Sequence, residues 1–372
     1  MRVLLCSPFH INSQVIQGGI AIWAQNVVDY YQSLGSNIQL KVIPYDRRTD
    51  AKACKSILKR AWLGFKDYKN PIKETNRQLS IEQYDVLHLC TSASISLTKD
   101  LIVLSRAKRK KVRTVVHFHF GRIPALKESG NWEWKLLKKV VNLADAAVVM
   151  DMKSFTTLED SGFNNVHYLP NPLSRRIVQQ ITQESSMVQR KENLISFVGH
   201  VIPTKGVFEL VEACRDIEGI NLSIVGKVSD EVKQRMEQLS GGGDWLSFRG
   251  EVDHPSVIRE LLSTEIFVLP TYTEGFPNVI LESMACGCAI VTTPVGAIPE
   301  MLDLNSKEPC GLCAEVKDVE GLKDRILFFL NNKKEAKEYA ARACDRVNKM
   351  YTISKIWQQL LSIWQFKRIG DK

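Results

Sequence analysis

At 372 residues, with 44% hydrophobic and 24% charged side chains, the chain has the make-up of a soluble globular protein too long for one ordinary core, so two domains are expected. No apolar run reaches the roughly 18 residues of a membrane-spanning helix, and MRVLLCSPFH reads as a buried first strand, which sets aside integral-membrane and signal-peptide readings. The formal charge of +9 is uneven: residues 1–172 carry 25 Lys+Arg against 14 Asp+Glu and the rest 25 against 27, so the basic half is expected to face something anionic.

In chain order, RVLLCSP, IQLKVIPY, DVLHLCT, RTVVHFHF and AAVVMD are short apolar runs that read as buried strands, with helical patterns between them. After the first run, QGGIAIWAQNVVDYYQSLG sets Gly18-Gly19 at the start of a helix, where bare backbone can come close to phosphate or sugar. Lys52–Lys69 (KACKSILKRAWLGFKDYK) puts Cys54, Ile57, Leu58, Ala61, Trp62 and Phe65 on one helical stripe flanked by six basic residues. Two readings stay open for it: a helix packing on its own sheet, or a surface helix docking on anionic lipid. The basic run RAKRKKVR (Arg106–Arg113) motivates a nucleic-acid reading, but no recognition module accompanies it, and charge runs are usually solvated faces.

After HYLPNPLS a polar stretch, RRIVQQITQESSMVQRKEN, separates the halves; then come LISFVGH, NLSIVG, LSFRGE, IFVLPT and AIVTTP. Strands alternating with helices at this spacing predict an α/β protein of two doubly wound parallel sheets, residues 1–172 and 173–350, facing across a cleft. Ligands of such sheets sit at the carboxyl ends of the strands, near helix amino termini. Residues 351–372 include TISKIWQQLLSIWQF, whose Ile356, Trp357, Leu360, Leu361, Ile363 and Trp364 suit a helix packing across the domain junction. The nine scattered cysteines, an odd count, predict reduced thiols and a cytoplasmic chain. Cys286/Cys288 and Cys310/Cys313 are close pairs without the companions a structural zinc site needs, so they read as small core residues and no metal is expected.

The chemistry concentrates in EGFPNVILESMACGCAIVTTPVGAIPE, from Glu274 to Glu300. Gly275 permits a tight turn, Pro277 suits a first helical position, and a nearly uncharged helix follows to about Cys286, with Gly287 as its stop. The helix start favours a phosphate. Glu282 lies inside this apolar helix, where a carboxylate costs several kcal/mol unless paired, roughly 2–7 for a neutral polar group and more for a charge. The expected partner is a ligand with two hydroxyls, such as a ribose. Upstream, SFVGHVIPTKGVFELVEA runs strand, glycine turn, then Lys205-Gly206 opening a helix, and GAIPEML follows a later strand.

Taken together, these segments resemble the retaining glycosyltransferases of family 4, over nearly the whole chain; the Glu-x7-Glu segment is the specific element, whereas Gly-Gly or Lys-Gly alone is weak. The resemblance implies the GT-B fold and a nucleotide-sugar donor, UDP- or GDP-linked. It assigns Glu282 to the donor ribose, Glu274 to the donor sugar, and the backbone from Gly275 through Phe276, Asn278 and Val279 to the diphosphate. Lys205 would neutralise the leaving diphosphate, Gly19 would line the cleft beside it, and His119 would lie near the transferred sugar, with His117 on the same strand face as a core residue. Where the family usually has arginine beside the glycine of FVG, this chain has His200, a weaker partner for diphosphate. The resemblance further implies retention of configuration, catalysis without metal or other cofactor, and a glycan or lipid-linked acceptor in surface-polysaccharide assembly. It is compatible with attachment to the inner face of the cell membrane. The alternatives are a sugar-nucleotide epimerase on the same fold and, remotely, a nucleic-acid-binding protein.

Overall fold

The computed structural model describes residues 1–9, 18–35, 37–45 and 57–365, the side chains of residues 57–68 excepted. The chain divides into two compact units, Met1–Pro172 with Ile353–Lys372, and Leu173–Thr352. The boundary falls inside LPNPLS. The last helix, expected to pack across a domain junction, joins the core of the first unit.

In the first unit six strands form one all-parallel sheet: β1 (Arg2–Ser7), β2 (Gln39–Pro44), β3 (Val86–Thr91), β4 (Arg113–Phe118), β5 (Ala146–Val149) and β6 (Val166–Tyr168), in the order β2-β1-β3-β4-β5-β6. Successive side chains of a strand face opposite ways, which explains why its strands are apolar throughout. Leu4, Cys6, Leu87, Leu89 and Val116 pack on one side with Leu97, Leu104, Leu137 and Val140. Val3, Leu5, Val86, Cys90 and Val115 pack on the other with Trp23 and Val27. That second face is covered by α1 (Gly19–Leu34) and by the last helix, α15 (Ile353–Gln365), through Ile356, Trp357, Leu360, Ile363 and Trp364. The other helices of the unit are α2 (Ile57–Ile81), α3 (Ser96–Arg109), α4 (Ile123–Ser129), α5 (Trp132–Leu143) and α6 (Met152–Glu159). The stripe on Lys52–Lys69 lies outside the described side chains, apart from Lys69.

The second unit repeats the plan with β7 (Leu194–Val198), β8 (Asn221–Val225), β9 (Leu246–Gly250), β10 (Ile266–Leu269), β11 (Ala289–Thr292) and β12 (Leu312–Cys313), ordered β12-β11-β10-β7-β8-β9, all parallel. The polar stretch taken as a separator contains a helix, α7 (Arg175–Glu184), because Ser174 caps it: its hydroxyl accepts from the Ile177 N–H at 3.1 Å. Then follow α8 (Val207–Cys214), α9 (Asp230–Leu239), α10 (His254–Ser263), α11 (Asn278–Ala285), α12 (Ile298–Met301), α13 (Val319–Asn331) and α14 (Lys333–Met350). Strand order reverses between β7 and β10, the point where doubly wound sheets open a crevice for ligands.

Candidate active site

The loops leaving β7 and β10 carry the residues singled out in the sequence. After β7 the chain makes a single 3-10 turn, Pro203–Lys205, and enters α8 through Gly206. Gly206 has φ +70°, and a Cβ there would lie 2.0 Å from the Pro270 carbonyl oxygen, so only glycine lets the two loops meet. The Tyr272 N–H donates to the Thr204 carbonyl at 2.9 Å, tying the loops a second time. This contact brings Lys205 and Glu274 together: Lys205 Nζ bonds Glu274 Oε1 as an ion pair, with 23% and 14% of the two side chains exposed. Gly296 holds the far side, where a Cβ would lie 2.4 Å from the Glu274 carbonyl oxygen and the Ala297 N–H donates to the Gly275 carbonyl at 2.9 Å.

Helix α11 starts at Asn278, one residue later than expected, with Pro277 as the extended residue before it. It ends at Ala285, with Cys286 as cap and Gly287 in the left-handed region. Asn278 and Val279 form its first turn. The Phe276 side chain is buried, its ring 5.9 Å from that of Tyr351, so only its backbone faces the loop.

Glu282 is buried as expected, but it has a protein partner: its Oε1 lies 3.0 Å from His254 Nε2. A ligand was the expected partner of this carboxylate; the structure shows a side chain in that place. His254 is the first residue of α10, and Glu282 raises its pKa above the ordinary histidine value, against the opposing effect of burial. Sequence reasoning missed His254. The local signal was the capping aspartate of DHPS, which fixes where α10 starts but says nothing about a partner in another helix.

His200 is exposed on the loop after β7, where the Val201 N–H donates to the Lys227 carbonyl at 3.1 Å. Gly19 is the exposed first residue of α1, and the preceding Gly18 takes φ +92°. His119 follows β4, its ring 3.9 Å from that of His117 and 5.1 Å from that of Trp23. Burial first, then the neighbouring His88, pushes its pKa down to about 3, so the ring is neutral near pH 7. His117 is wholly buried, as a core residue is, but neither ring nitrogen has a hydrogen-bond partner among the described residues. Gly19 and His119 belong to the first unit; Lys205, Glu274, Glu282 and His200 belong to the second.

His88, Cys90 and His117 place metal-ligand atoms within 4.8 Å of one another. Trp364 Nε1 donates to His88 Nδ1 at 3.0 Å, and indole can only donate, so the neutral His88 keeps its proton on Nε2. Nδ1 accepts from the indole and Nε2 carries the ring's proton with no partner among the described residues, so in this tautomer the ring has no free lone pair for a metal. Cys286, Cys288 and Cys310 are buried free thiols; the Cys288 thiol donates to the Leu261 carbonyl at 3.2 Å.

Residues 178–346 match the family model described as Glycosyl transferases group 1. An uncharacterized 41.2 kDa protein in the cps region of Klebsiella pneumoniae is 20% identical over 92% of this chain and 98% of its own length. The capsular polysaccharide biosynthesis glycosyltransferase CapM of Staphylococcus aureus is 24% identical over 46% of this chain and 45% of its own. The chain spans half or less of the length of several further curated relatives. Among solved structures, Anabaena HepE in complex with UDP-glucose superposes with a TM-score of 0.66 at 14% identity, covering 97% of this chain and 98% of that one. The fold is therefore that of the GT-B proteins.

Proposed function

We propose that this chain, a transferase by its glycosyl transferases group 1 domain, moves a sugar from a nucleotide-diphosphate sugar to a glycan or lipid-linked acceptor during surface-polysaccharide assembly. The observation that carries the reading is the Lys205–Glu274 pair at the point where strand order reverses, with Glu282 five residues into the helix that follows. Breaking the anomeric bond loads charge on the departing diphosphate. Lys205 would leave Glu274 to meet that charge, and Glu274 would then be free to hold the donor sugar. The amides of the Gly275–Val279 turn, at the amino end of α11, would add fixed dipoles, and His200 a further hydrogen bond. Glu282 would accept from the ribose hydroxyls. Retention of configuration, independence of metal, and the roles of Gly19 and His119 toward the transferred sugar belong to the proposal through the family 4 resemblance.

The capsular context of the relatives and the basic first half favour an acceptor at the inner face of the membrane. No described helix is long and apolar enough to cross a membrane; the attachment proposed is peripheral, through the basic half. Labelled UDP- and GDP-sugars, incubated with and without lipid-linked acceptors and with EDTA, test the reading. Nucleoside diphosphate should be released, faster with acceptor and unchanged by EDTA, with the new glycoside keeping the donor's anomeric configuration by NMR. An epimerised donor without glycoside would turn the assignment to an isomerase, and the absence of release from every donor and acceptor pair would remove the transferase role.

A further inference from the structure

Glu282 and His254 face each other across two helices, and the pair is asymmetric. Glu282 has 11% of its side chain exposed, His254 half. The backbone of His254 is fixed, because Asp253 caps α10 by accepting from the Ser256 N–H at 2.9 Å and Gln180 of α7 donates to the Pro255 carbonyl at 2.9 Å. The imidazole itself stands at the helix's first position, half in solvent, and can swing away without disturbing the turn. The charged groups around it are Asp253 on its own turn, Arg259 farther along α10, Glu184 of α7, which pairs with Arg259, and Glu282, which alone among them bonds the ring.

We propose that His254 is the resident partner of the ribose carboxylate, and that a bound nucleotide displaces it. The inference rests on Glu282 being the ribose ligand. A vicinal diol donates two hydrogen bonds, and it would reach Glu282 along the small exposed edge that the imidazole now occupies. With its partner taken, the ring turns to water and loses the support that raises its basicity.

The sign follows from linkage. In the free protein His254 holds its proton above the ordinary value of 6.5; once displaced it returns toward that value. Between the two, nucleotide binding expels a proton, so affinity rises with pH across that window and is flat on either side. His200, the other histidine on these loops, is removed by substitution so that His254 alone is read.

Calorimetry of UDP and GDP binding, from pH 5.5 to 9 in buffers of different ionisation heat, reads this directly in a His200→Gln background. That protein should release up to one proton per nucleotide within the window, with affinity rising at most about tenfold per pH unit. Adding His254→Gln, which keeps a neutral donor, should lower the release by up to one proton, leaving only what the nucleotide's own terminal phosphate contributes, and make the profile correspondingly flatter. Adding His254→Ala should give at pH 6 an affinity matching that of the His254 protein at pH 8.5, with circular dichroism reporting the fold. Release in both double variants equal to that of the His200→Gln protein, or weaker binding of both at every pH, overturns the displacement. Glu282→Gln and 2′,3′-dideoxynucleotides test the underlying reading separately: unchanged affinity in both removes the ribose role itself, whereas lost affinity without proton release removes only the role of His254.

Discussion

Lys205 and Glu274 neutralise each other where little solvent reaches them, with 23% and 14% of their side chains exposed. Removing one partner of such a pair leaves the other's charge uncompensated. Lys205→Ala should therefore cost twice: the diphosphate loses a cation, and the freed Glu274 carboxylate repels it. We expect kcat to fall by about 10²- to 10³-fold, the usual loss for a group that meets developing charge. Nucleoside diphosphate affinity should fall as well. In the Lys205→Ala/Glu274→Gln double variant, affinity should recover in part while kcat does not. Steady-state kinetics and calorimetry on the two proteins check this; kcat within a few-fold of the parent in the single variant would take Lys205 out of leaving-group stabilisation. Glu274 and Glu282 were legible because they share the one specific family spacing, whereas Lys205 stood only on the weaker Lys-Gly pattern; the structure adds that Lys205 and Glu274 pair. His254 was not legible, since its contact with Glu282 spans 28 residues and no local pattern encodes it.

Among the elements, the strands were the most legible, because a parallel sheet covered on both faces makes each of its strands an apolar run. β6 and β12 escaped notice: three and two residues leave no pattern to read. α7 escaped because none of its residues is buried and its sequence is mostly polar. One face of β3 and β4 has a consequence for stability. His88 and His117 are fully buried there, beside Trp23 and Trp364, and His119 follows at the strand end. Burial pushes His88 and His119 down to about 3 and His117 well below its ordinary value. Above about pH 6.5 these rings are neutral folded and unfolded, and stability is whole; below it the unfolded chain takes up protons the folded one refuses. Stability should fall with falling pH toward 3, by up to ~1.4 kcal/mol per pH unit for each ring. Asp100, raised to about 6 by burial, works the other way, gaining stability as pH falls below 6 toward 3.8. The difference between parent and His117→Phe isolates the histidine effect: urea melts followed by tryptophan fluorescence should show a shallower loss from pH 7 to 5 in the variant. Parallel losses in the two proteins would mean His117 takes up its proton while folded.

For the whole molecule, the two-unit plan and its boundary near residue 172 could be read from the recurrence of strands. The return of the last helix could not. Its apolar positions were visible, but the contacts that hold it, Trp364 with His88 and Arg113 with the Ile363 carbonyl, join residues more than 200 positions apart. Net charge divides with the halves, +11 over residues 1–172 against −2 over the rest, so under the proposed membrane attachment the first half would be the one to meet an anionic surface. Within it, the helix Ile57–Ile81 begins in the segment carrying Lys52, Lys55, Lys59, Arg60, Lys66 and Lys69. A basic residue close to an anionic leaflet contributes ~1 kcal/mol, so several together suffice for reversible attachment without a spanning helix. Such attachment would hold the enzyme where a lipid-linked acceptor is presented. The full chain should therefore sediment with vesicles containing anionic lipid, stay in the supernatant with neutral ones, and be released by salt as exposed charges are screened. Changing Lys55, Lys59 and Arg60 to Glu should abolish sedimentation while leaving transfer to a water-soluble acceptor intact. Equal recovery in the supernatant with both vesicle types at low salt would detach the enzyme from the membrane and leave the basic half to meet an anionic glycan instead.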